Sequence, residues 1–413
     1  MAVSKTRACS ACGKTKPLDA EHFPAHSDTK DGFRPQCIAC FNDKRRKIHG
    51  APREEKPAKP VEEKITAIEE HRLKKRVREL EAQNKELAAQ LSEGGEYHEI
   101  VKEALRRQHE APPIVIKPRE RKSKQHEATP RALASDWHVE EEVKPSAVAG
   151  RNRYTLEIAA QRMTRYFEAV RWSIKHQRDV FKIRDGILWL GGDFITNHLH
   201  DDDAESNQLA PLDAIMFAQK NIIKGIDFLL EDPEIEQWTI PCNDGNHGRM
   251  SNTRKMRNAT RTTHSLEAFM YAQIALHYRG EKRLKFVLPT SQFTFLDDVY
   301  GRTIRFLHGD VFKYAGGVGG ITVPLFRSLA RWEKTKHADL TAMGHWHQRY
   351  CLPDVMINGS LIGYNSYAMG GGFPFEPPVQ SLRMLEPTRW CSIDVPLWVS
   401  SKDDDIENKR WAA

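Results

Sequence analysis

The sequence predicts an α/β fold joined to a small zinc finger and a helical linker. From residue 131 onward, short apolar strands alternate with helix-like segments at 154–178, 211–230 and 263–278, as is typical of α/β architecture. At 413 residues, the chain is longer than one typical domain. We expect four segments, namely a four-Cys finger at 1–50, a basic linker at 51–130, an α/β domain at 131–400 and a charged tail at 401–413.

The apolar strands of the α/β domain end at residues that often bind metals. The predicted strands cover 132–135, 187–190, 238–242, 303–307 and 340–343. In that order, they lead into D-x-H at 136–138, G-G-D at 191–193, G-N-H at 245–247, H-G-D at 308–310 and G-H-x-H at 344–347. Ligands gather at the carboxyl ends of strands in α/β sheets. We therefore expect these side chains to converge on one edge.

The order of these motifs resembles the calcineurin-like metallophosphoesterase superfamily over residues 131–347. The H-G-D step before G-H-x-H is similar to the SbcD-like branch of DNA-repair nucleases. The resemblance implies a β-sandwich flanked by helices. It also implies one metal bound by Asp136, His138 and His347, a second bound by Asn246, His308 and His345, and Asp193 bridging both.

The implied chemistry is phosphoester hydrolysis. Carboxylate and imidazole ligands suit Mn²⁺ first, with Fe or Zn²⁺ as alternatives. A hydroxide bridging two such ions would attack phosphorus in line with the leaving oxygen. In the family, the position of His247 faces the substrate, where it would protonate the leaving group or stabilise the transition state. The alternative for His247 is a structural histidine on a tight turn.

Two features near these motifs allow two interpretations each. The family often has an acidic residue after G-N-H, whereas this chain has Gly248 and then Arg249. Arg249 would contact a phosphate, or it is a surface residue. The sequence HLHDDD at 198–203 is a third metal site or, as we favour, a solvated loop at the rim.

The N-terminal cysteines form the pattern C-x2-C-x24-C-x2-C, which predicts one structural Zn²⁺ bound by Cys9, Cys12, Cys37 and Cys40. The segment resembles the treble-clef fingers of the endonuclease VII type found in phage proteins. His22 and His26 do not lie beside the second pair, so we do not expect a second nuclease. A basic stretch follows the second pair and would contact DNA phosphates through Lys44, Arg45, Arg46 and Lys47. The alternative is a module that docks on protein.

The linker contains a heptad pattern at 63–93, with leucines seven apart at 73, 80 and 87. This pattern predicts a homodimeric coiled coil or, alternatively, a monomeric connector helix. The formal charge of +7 lies entirely in residues 1–130, which contain 28 Lys+Arg and 21 Asp+Glu. That asymmetry suggests a polyanion-binding appendage or, equally, a solvated charge-rich tail. The chain lacks both an apolar leader and an apolar run of about 18 residues. We therefore expect a cytoplasmic protein without a membrane partner.

Three functions remain open from the sequence. The first is a two-metal phosphodiesterase, specifically a DNA nuclease. The second is a phosphomonoesterase acting on a phosphoprotein or a nucleotide. The third is a non-catalytic DNA-binding or scaffold protein. The finger and the charge asymmetry favour the nuclease, while the ligand residues alone do not separate the two enzymes.

Overall fold

The computed structural model describes residues 5–49, 99–119, 126–198, 203–250, 264–313 and 320–400, with backbone only at 46–49 and 203–204. The predicted coiled coil at 63–93, its homodimer and the tail at 401–413 lie outside these residues. The chain divides into two compact units at residue 84/85. We call residues 5–49 the finger and residues 99–400 the body.

The finger is a hairpin followed by a helix. Strands β1 (Thr6–Ala8) and β2 (Thr15–Pro17) pair antiparallel, and helix α1 spans Ile38–His49. The first C-x-x-C pair lies in the hairpin turn, and the second lies at the start of α1. Phe23 is fully buried against Cys9 and Cys37. This small core brings the two halves of the finger together.

The body is a mixed α/β unit, which confirms the predicted class. Its strands are β3 (Val115–Ile116), β4 (His126–Glu127), β5 (Thr129–Ala134), β6 (Phe181–Lys182), β7 (Asp185–Leu190), β8 (Gln237–Pro241), β9 (Leu284–Val287), β10 (Thr294–Val299), β11 (Arg302–Phe306), β12 (Leu340–Met343), β13 (Tyr350–Cys351), β14 (Val355–Ile357), β15 (Val379–Glu386) and β16 (Trp390–Trp398). Its helices are α2 (99–110), α3 (Leu156–Gln177), α4 (Asp203–Ser206), α5 (Pro211–Leu230), α6 (Leu266–His277), α7 (Thr322–Trp332) and α8 (Ser366–Gly370), with a 3-10 turn at Pro145–Val148.

Two six-stranded sheets form the centre of the body. The first has the order β16-β15-β5-β7-β8-β9, and the second has the order β13-β14-β12-β11-β10-β3. Strands β5, β7, β8 and β9 run parallel, as do β11, β12 and β14. Strand β3 lies at the edge of the second sheet, so the body includes residues before 131.

The sheets pack face to face, with helices on the outside. Along β7, Ile187 and Trp189 point into a cluster shared with β11 and β12 of the second sheet. The alternate residues Leu188 and Leu190 pack in the cluster formed with α3, α5 and α6. Helix α7 covers the outer face of the second sheet through Leu325. Burial on both faces explains why residues 187–190 of β7 form an unbroken apolar run.

No helix in the described ranges is long and apolar enough to cross a membrane.

Candidate metal centre

The predicted metal ligands meet where strands of both sheets end. Asp136 and Asp193 follow the parallel strands β5 and β7, while His308 and the G-H-x-H motif follow β11 and β12. The structure forms two groups that could hold a metal ion, Asp136/His138/His347 and Asp193/His308/His345, each with ligand atoms within 4.8 Å of one another. The two groups adjoin, because the backbone N–H of His345 donates to Asp136 Oδ1 at 2.9 Å.

Several buried atoms in or beside these groups form no hydrogen bond within the described residues. They are His138 Nε2, His347 Nδ1 and the side-chain oxygen of Asn246, Oδ1. His308 Nε2 has the Asp193 carboxylate beside it. A buried polar atom without a partner costs free energy unless something else binds it. Because imidazole nitrogens and an amide oxygen are metal ligands, this donor set fits divalent cations. Asn246 follows β8, which pairs with β7 in the first sheet. The preceding residue, Gly245, packs against the Asp193 carboxylate, so Asn246 lies at the same sheet edge as Asp193.

The backbone of the ligand loops is strained. Asp136, His138, Asp193, His345 and His347 all adopt left-handed conformations, with φ between 46° and 72°. Such conformations are uncommon in residues other than glycine and cluster at functional sites. Here the left-handed turns point successive side chains of one loop toward the same centre.

Neighbouring glycines make the close approach possible. A Cβ on Gly245 would collide with Asp193 Oδ1, and one on Gly344 would collide with Asp136 Oδ2. Both glycines precede predicted ligands within their motifs. Their role is therefore to let the carboxylates sit against the backbone.

Further hydrogen bonds orient the imidazole rings. His308 Nδ1 lies 2.8 Å from the carbonyl oxygen of Gly191, and His138 Nδ1 lies 3.0 Å from Thr196 Oγ1. A proton on each Nδ1 leaves Nε2 as the metal-binding atom. Such partners commonly fix the tautomer of metal-binding histidines.

The electrostatics favour neutral histidines around one charged pair. Burial lowers the pKa of His345 to about 4 and that of His347 to about 3, and it holds the pKa of His138 well below its usual range. Burial opposes charge on His308 as well, but the Asp193 carboxylate raises its pKa to about 10, with His308 Nε2 2.9 Å from Asp193 Oδ2. Burial alone would raise the pKa of Asp193, yet the positive charge of His308 holds it well below its usual range. A proton on His308 therefore occupies the place that a cation would take.

His247 lies beside both groups. Its backbone N–H donates to Asp193 Oδ1 at 2.8 Å, and its Nδ1 lies 2.7 Å from the carbonyl oxygen of Thr196. Its ring packs edge-on against His138 with centroids 5.0 Å apart. The side chain of Asn197 donates to the carbonyls of His247 and Arg249, so it joins the loop after β7 to the loop that contains His247. Arg249 itself is half-buried.

Three buried side chains that support the ligand loops were missed by sequence reasoning. Glu267 accepts the N–H of Phe194 at 2.6 Å and that of Gly245 at 2.7 Å, so it ties the Asp193 loop to the Asn246 loop. Glu140 accepts the N–H groups of Thr196 and Asn197. Gln380 accepts the N–H of Ser135 at 3.1 Å, next to Asp136.

Glu267 also explains why the residue after G-N-H, Gly248, is a glycine. A Cβ on Gly248 would lie 2.8 Å from Glu267 Cγ, so the space beside this glycine is filled by a carboxylate from α6. Burial raises the pKa of Glu267 to about 8, while its two backbone N–H donors act to lower it. The sequence signal was weak, because one glutamate in the first turn of a helix is ordinary.

Other predicted residues have mixed outcomes. In the HLHDDD segment, His198 is exposed, while residues 199–202 lie outside the description, so the structure does not test a third metal site. Lys44 and Arg45 are exposed on α1, whereas the side chains of Arg46 and Lys47 lie outside the description.

The finger holds the third group that could bind a metal, formed by Cys9, Cys12, Cys37 and Cys40. The N–H of Cys37 donates to Cys9 Sγ at 3.2 Å. Backbone donors at Cys37 and Cys12 lower the pKa of Cys9 to about 6. Hydrogen bonds from Cys12 and Cys37 raise the pKa of Cys40 to about 12. Four thiols in one closed group are suited to a structural zinc.

Comparison with known proteins gives no assignment. No protein-family model matches the sequence. No curated protein matches it either. Among solved structures, the chain is similar to hypothetical protein PH1004 from Pyrococcus horikoshii OT3, with 11% identity and a TM-score of 0.31, covering 67% of this chain and 90% of that one. A likeness at this level carries no argument, so the function must be inferred from the site.

Proposed function

We propose that this protein is a metal-dependent phosphodiesterase that cleaves nucleic acid, and that its body belongs to the calcineurin-like metallophosphoesterase superfamily. One observation carries the proposal. Two adjoining groups of Asp and His residues contain ligand atoms, such as His138 Nε2 and His347 Nδ1, that form no hydrogen bond within the described residues, and His247 lies beside both groups. The order of the motifs along the chain supports the SbcD-like nuclease branch.

The predicted site residues would have distinct roles in binding the metals. Asp136, His138 and His347 would hold one divalent cation, while Asn246, His308 and His345 would hold another, with Asp193 between them. When bound, two such cations polarise a phosphoryl group and activate water at neutral pH, and Mn²⁺ suits this mixture of ligands. The strained loops and their hydrogen bonds would fix the ligands before substrate arrives.

His247 would act on the substrate rather than on a metal. The bond between its Nδ1 and the carbonyl of Thr196 fixes the orientation of the ring. Nε2, on the opposite side of the ring, would then hydrogen-bond the phosphoryl group or protonate the leaving oxygen. The contact of its backbone N–H with Asp193 places the ring next to the bridging ligand.

The finger supports nucleic acid as the substrate class. It resembles treble-clef fingers of the endonuclease VII type, and its four cysteines would hold a structural Zn²⁺. Lys44 and Arg45 are exposed on α1, where they would neutralise backbone phosphates. We propose the same phosphate-binding role for Arg46, Lys47 and Arg249.

The test compares four substrates with Mn²⁺ present, namely single-stranded DNA, duplex DNA, bis-p-nitrophenyl phosphate and p-nitrophenyl phosphate. Asp193→Ala should abolish cleavage, and His247→Ala should lower kcat by about 10²- to 10⁴-fold, as expected for a general acid. Asp297→Ala and His337→Ala are matched controls, because both side chains are well exposed. Cleavage of the monoester with both DNAs intact would replace the nuclease by a phosphatase, and no hydrolysis by metal-loaded protein would favour a scaffold role.

A further inference from the structure

The segment 365–374 is tied to the metal centre at both ends. Asn365 Nδ2 donates to Glu141 Oε1 at 3.0 Å, and the other carboxylate oxygen of Glu141 lies 3.4 Å from Thr196 Oγ1, which contacts His138. At the far end, Gln348 Nε2 donates at 3.1 Å both to the carbonyl of His347 and to that of Pro374. This segment therefore borders the ligand loops.

The segment presents an aromatic side chain to solvent. Tyr367, in the short helix α8, is 61% exposed, and its ring lies 5.9 Å from that of Phe373 at a tilt of 36°. Gly371 allows this packing, because a Cβ there would lie 2.8 Å from Phe373 Cε2. Partial burial raises the pKa of Tyr367, with a further contribution from the Asp193 carboxylate. Much of the Tyr367 ring therefore stays in solvent, on a segment that hydrogen bonds join to the ligand loops.

If the centre cleaves a nucleic acid backbone, a nucleobase next to the cleaved phosphate is a suitable ligand for an exposed aromatic ring at this position. Every nucleobase has a flat face, and stacking on an aromatic side chain strengthens binding by about 5- to 150-fold per base. In a duplex, both faces of an internal base are already covered by its neighbours. Stacking on a protein ring therefore requires a base that is unpaired or turned out.

We propose that Tyr367, packed against Phe373, stacks on a nucleobase next to the cleaved phosphate, so that the site takes single-stranded nucleic acid. The inference rests on the proposed function, which supplies the phosphodiester beside the ring. Asn365 fixes the position of the ring by capping α8, since its side chain accepts the N–H of Ala368 at 3.1 Å. The ring would then distinguish a single strand or a frayed end from a closed duplex.

The test separates stacking from catalysis by using a pair of matched substrates. The full chain with Mn²⁺ is given a thymidine dinucleotide and an abasic analogue with the same phosphodiester. Tyr367→Ala should raise KM for the dinucleotide about tenfold or more, with KM for the abasic analogue unchanged. Tyr367→Phe should behave like the wild type, because it keeps the ring. Tyr350→Ala, at another exposed tyrosine, is the control.

A binding measurement decides the question without turnover. A dinucleotide carrying 2-aminopurine should lose fluorescence when its base stacks on wild-type protein, and it should keep that fluorescence with Tyr367→Ala. Equal effects of Tyr367→Ala on both substrates, or unchanged quenching, would overturn the inference. Cleavage of neither diester by the wild type would instead count against the proposed function, and the quenching result would still decide whether Tyr367 stacks on a base.

Discussion

Replacing Glu140 by glutamine should remove a specific pH dependence of stability. One carboxyl oxygen of Glu140 accepts the N–H of Thr196 at 2.8 Å and that of Asn197 at 2.7 Å. The other, Oε2, is buried without a partner among the described residues. Burial raises the pKa of this carboxyl from 4.5 to about 8. Glutamine keeps the accepting oxygen and cannot ionise.

The magnitude follows from proton linkage. A raised pKa means that the folded state binds the proton more tightly than the unfolded chain does. The resulting stabilisation is fully present below about pH 4.5 and is lost as pH rises to about 8. At ~1.4 kcal/mol per pKa unit, the loss is roughly 4–5 kcal/mol. The Glu140→Gln variant should match the wild type near pH 5 and exceed its stability near pH 9.

The assay is thermal unfolding of chelator-treated protein, followed by circular dichroism from pH 5 to pH 9. For a unit of this size, ~1 kcal/mol shifts Tm by roughly 2 °C, so we expect the variant to unfold several degrees higher at pH 9. Glu168→Gln, at an exposed position, should follow the wild-type curve. If the Glu140→Gln and wild-type curves stay parallel across this range, Glu140 is ionised in the folded protein and the reasoning is wrong.

Three further predictions concern the metals. Gly245→Ala should weaken Mn²⁺ binding at least tenfold in calorimetry because its methyl group meets a ligand carboxylate, whereas Gly280→Ala, which has open space around it, should not; equal affinities would contradict the packing described. Because His308 has a pKa raised to about 10, Mn²⁺ binding at pH 8 should release about one proton and should tighten about tenfold per pH unit. Calorimetry in buffers of different ionisation enthalpy measures the number of protons released, and a value of zero would contradict this prediction. Cys12→Ser should lower the zinc content of purified protein by about one ion per chain relative to Cys351→Ser, and an unchanged content would rule out the four-Cys site.

The strands that are buried on both faces could be predicted from sequence, whereas the buried polar strand could not. Residues 187–190 of β7 form a continuous apolar run, and the candidate ligand Asp193 follows three residues later. Strand β15 is also fully buried, yet it carries Gln380 and Arg383. Arg383 pairs with Asp394 across the β15–β16 hairpin at 2.8 Å. Arg383 also donates to the carbonyl of Leu352, 31 residues earlier, and Gln380 accepts the N–H of Ser135, 245 residues earlier. A local pattern therefore does not reveal the burial of these polar side chains.

The same distinction applies to the metal centre. The candidate ligands could be proposed from sequence because each follows a strand within a few residues, and the structure brings six of them into two groups. Glu267 could not, because it reaches the loops from a helix that begins 20 residues after Asn246. Its importance depends on two backbone N–H groups that lie close together only after folding.

The left-handed ligand residues have a consequence for how the sequence can change. Each left-handed residue that is not glycine costs the folded state ~1 kcal/mol or more, and five of the candidate ligands are in this state. Exchanging such a residue for glycine relieves that cost while deleting a ligand. A library selected for heat resistance alone, without any demand for activity, should therefore accumulate glycine at positions such as His138 and His345. The substitutions that most readily raise thermal stability would then fall at the ligand positions of the candidate metal centre.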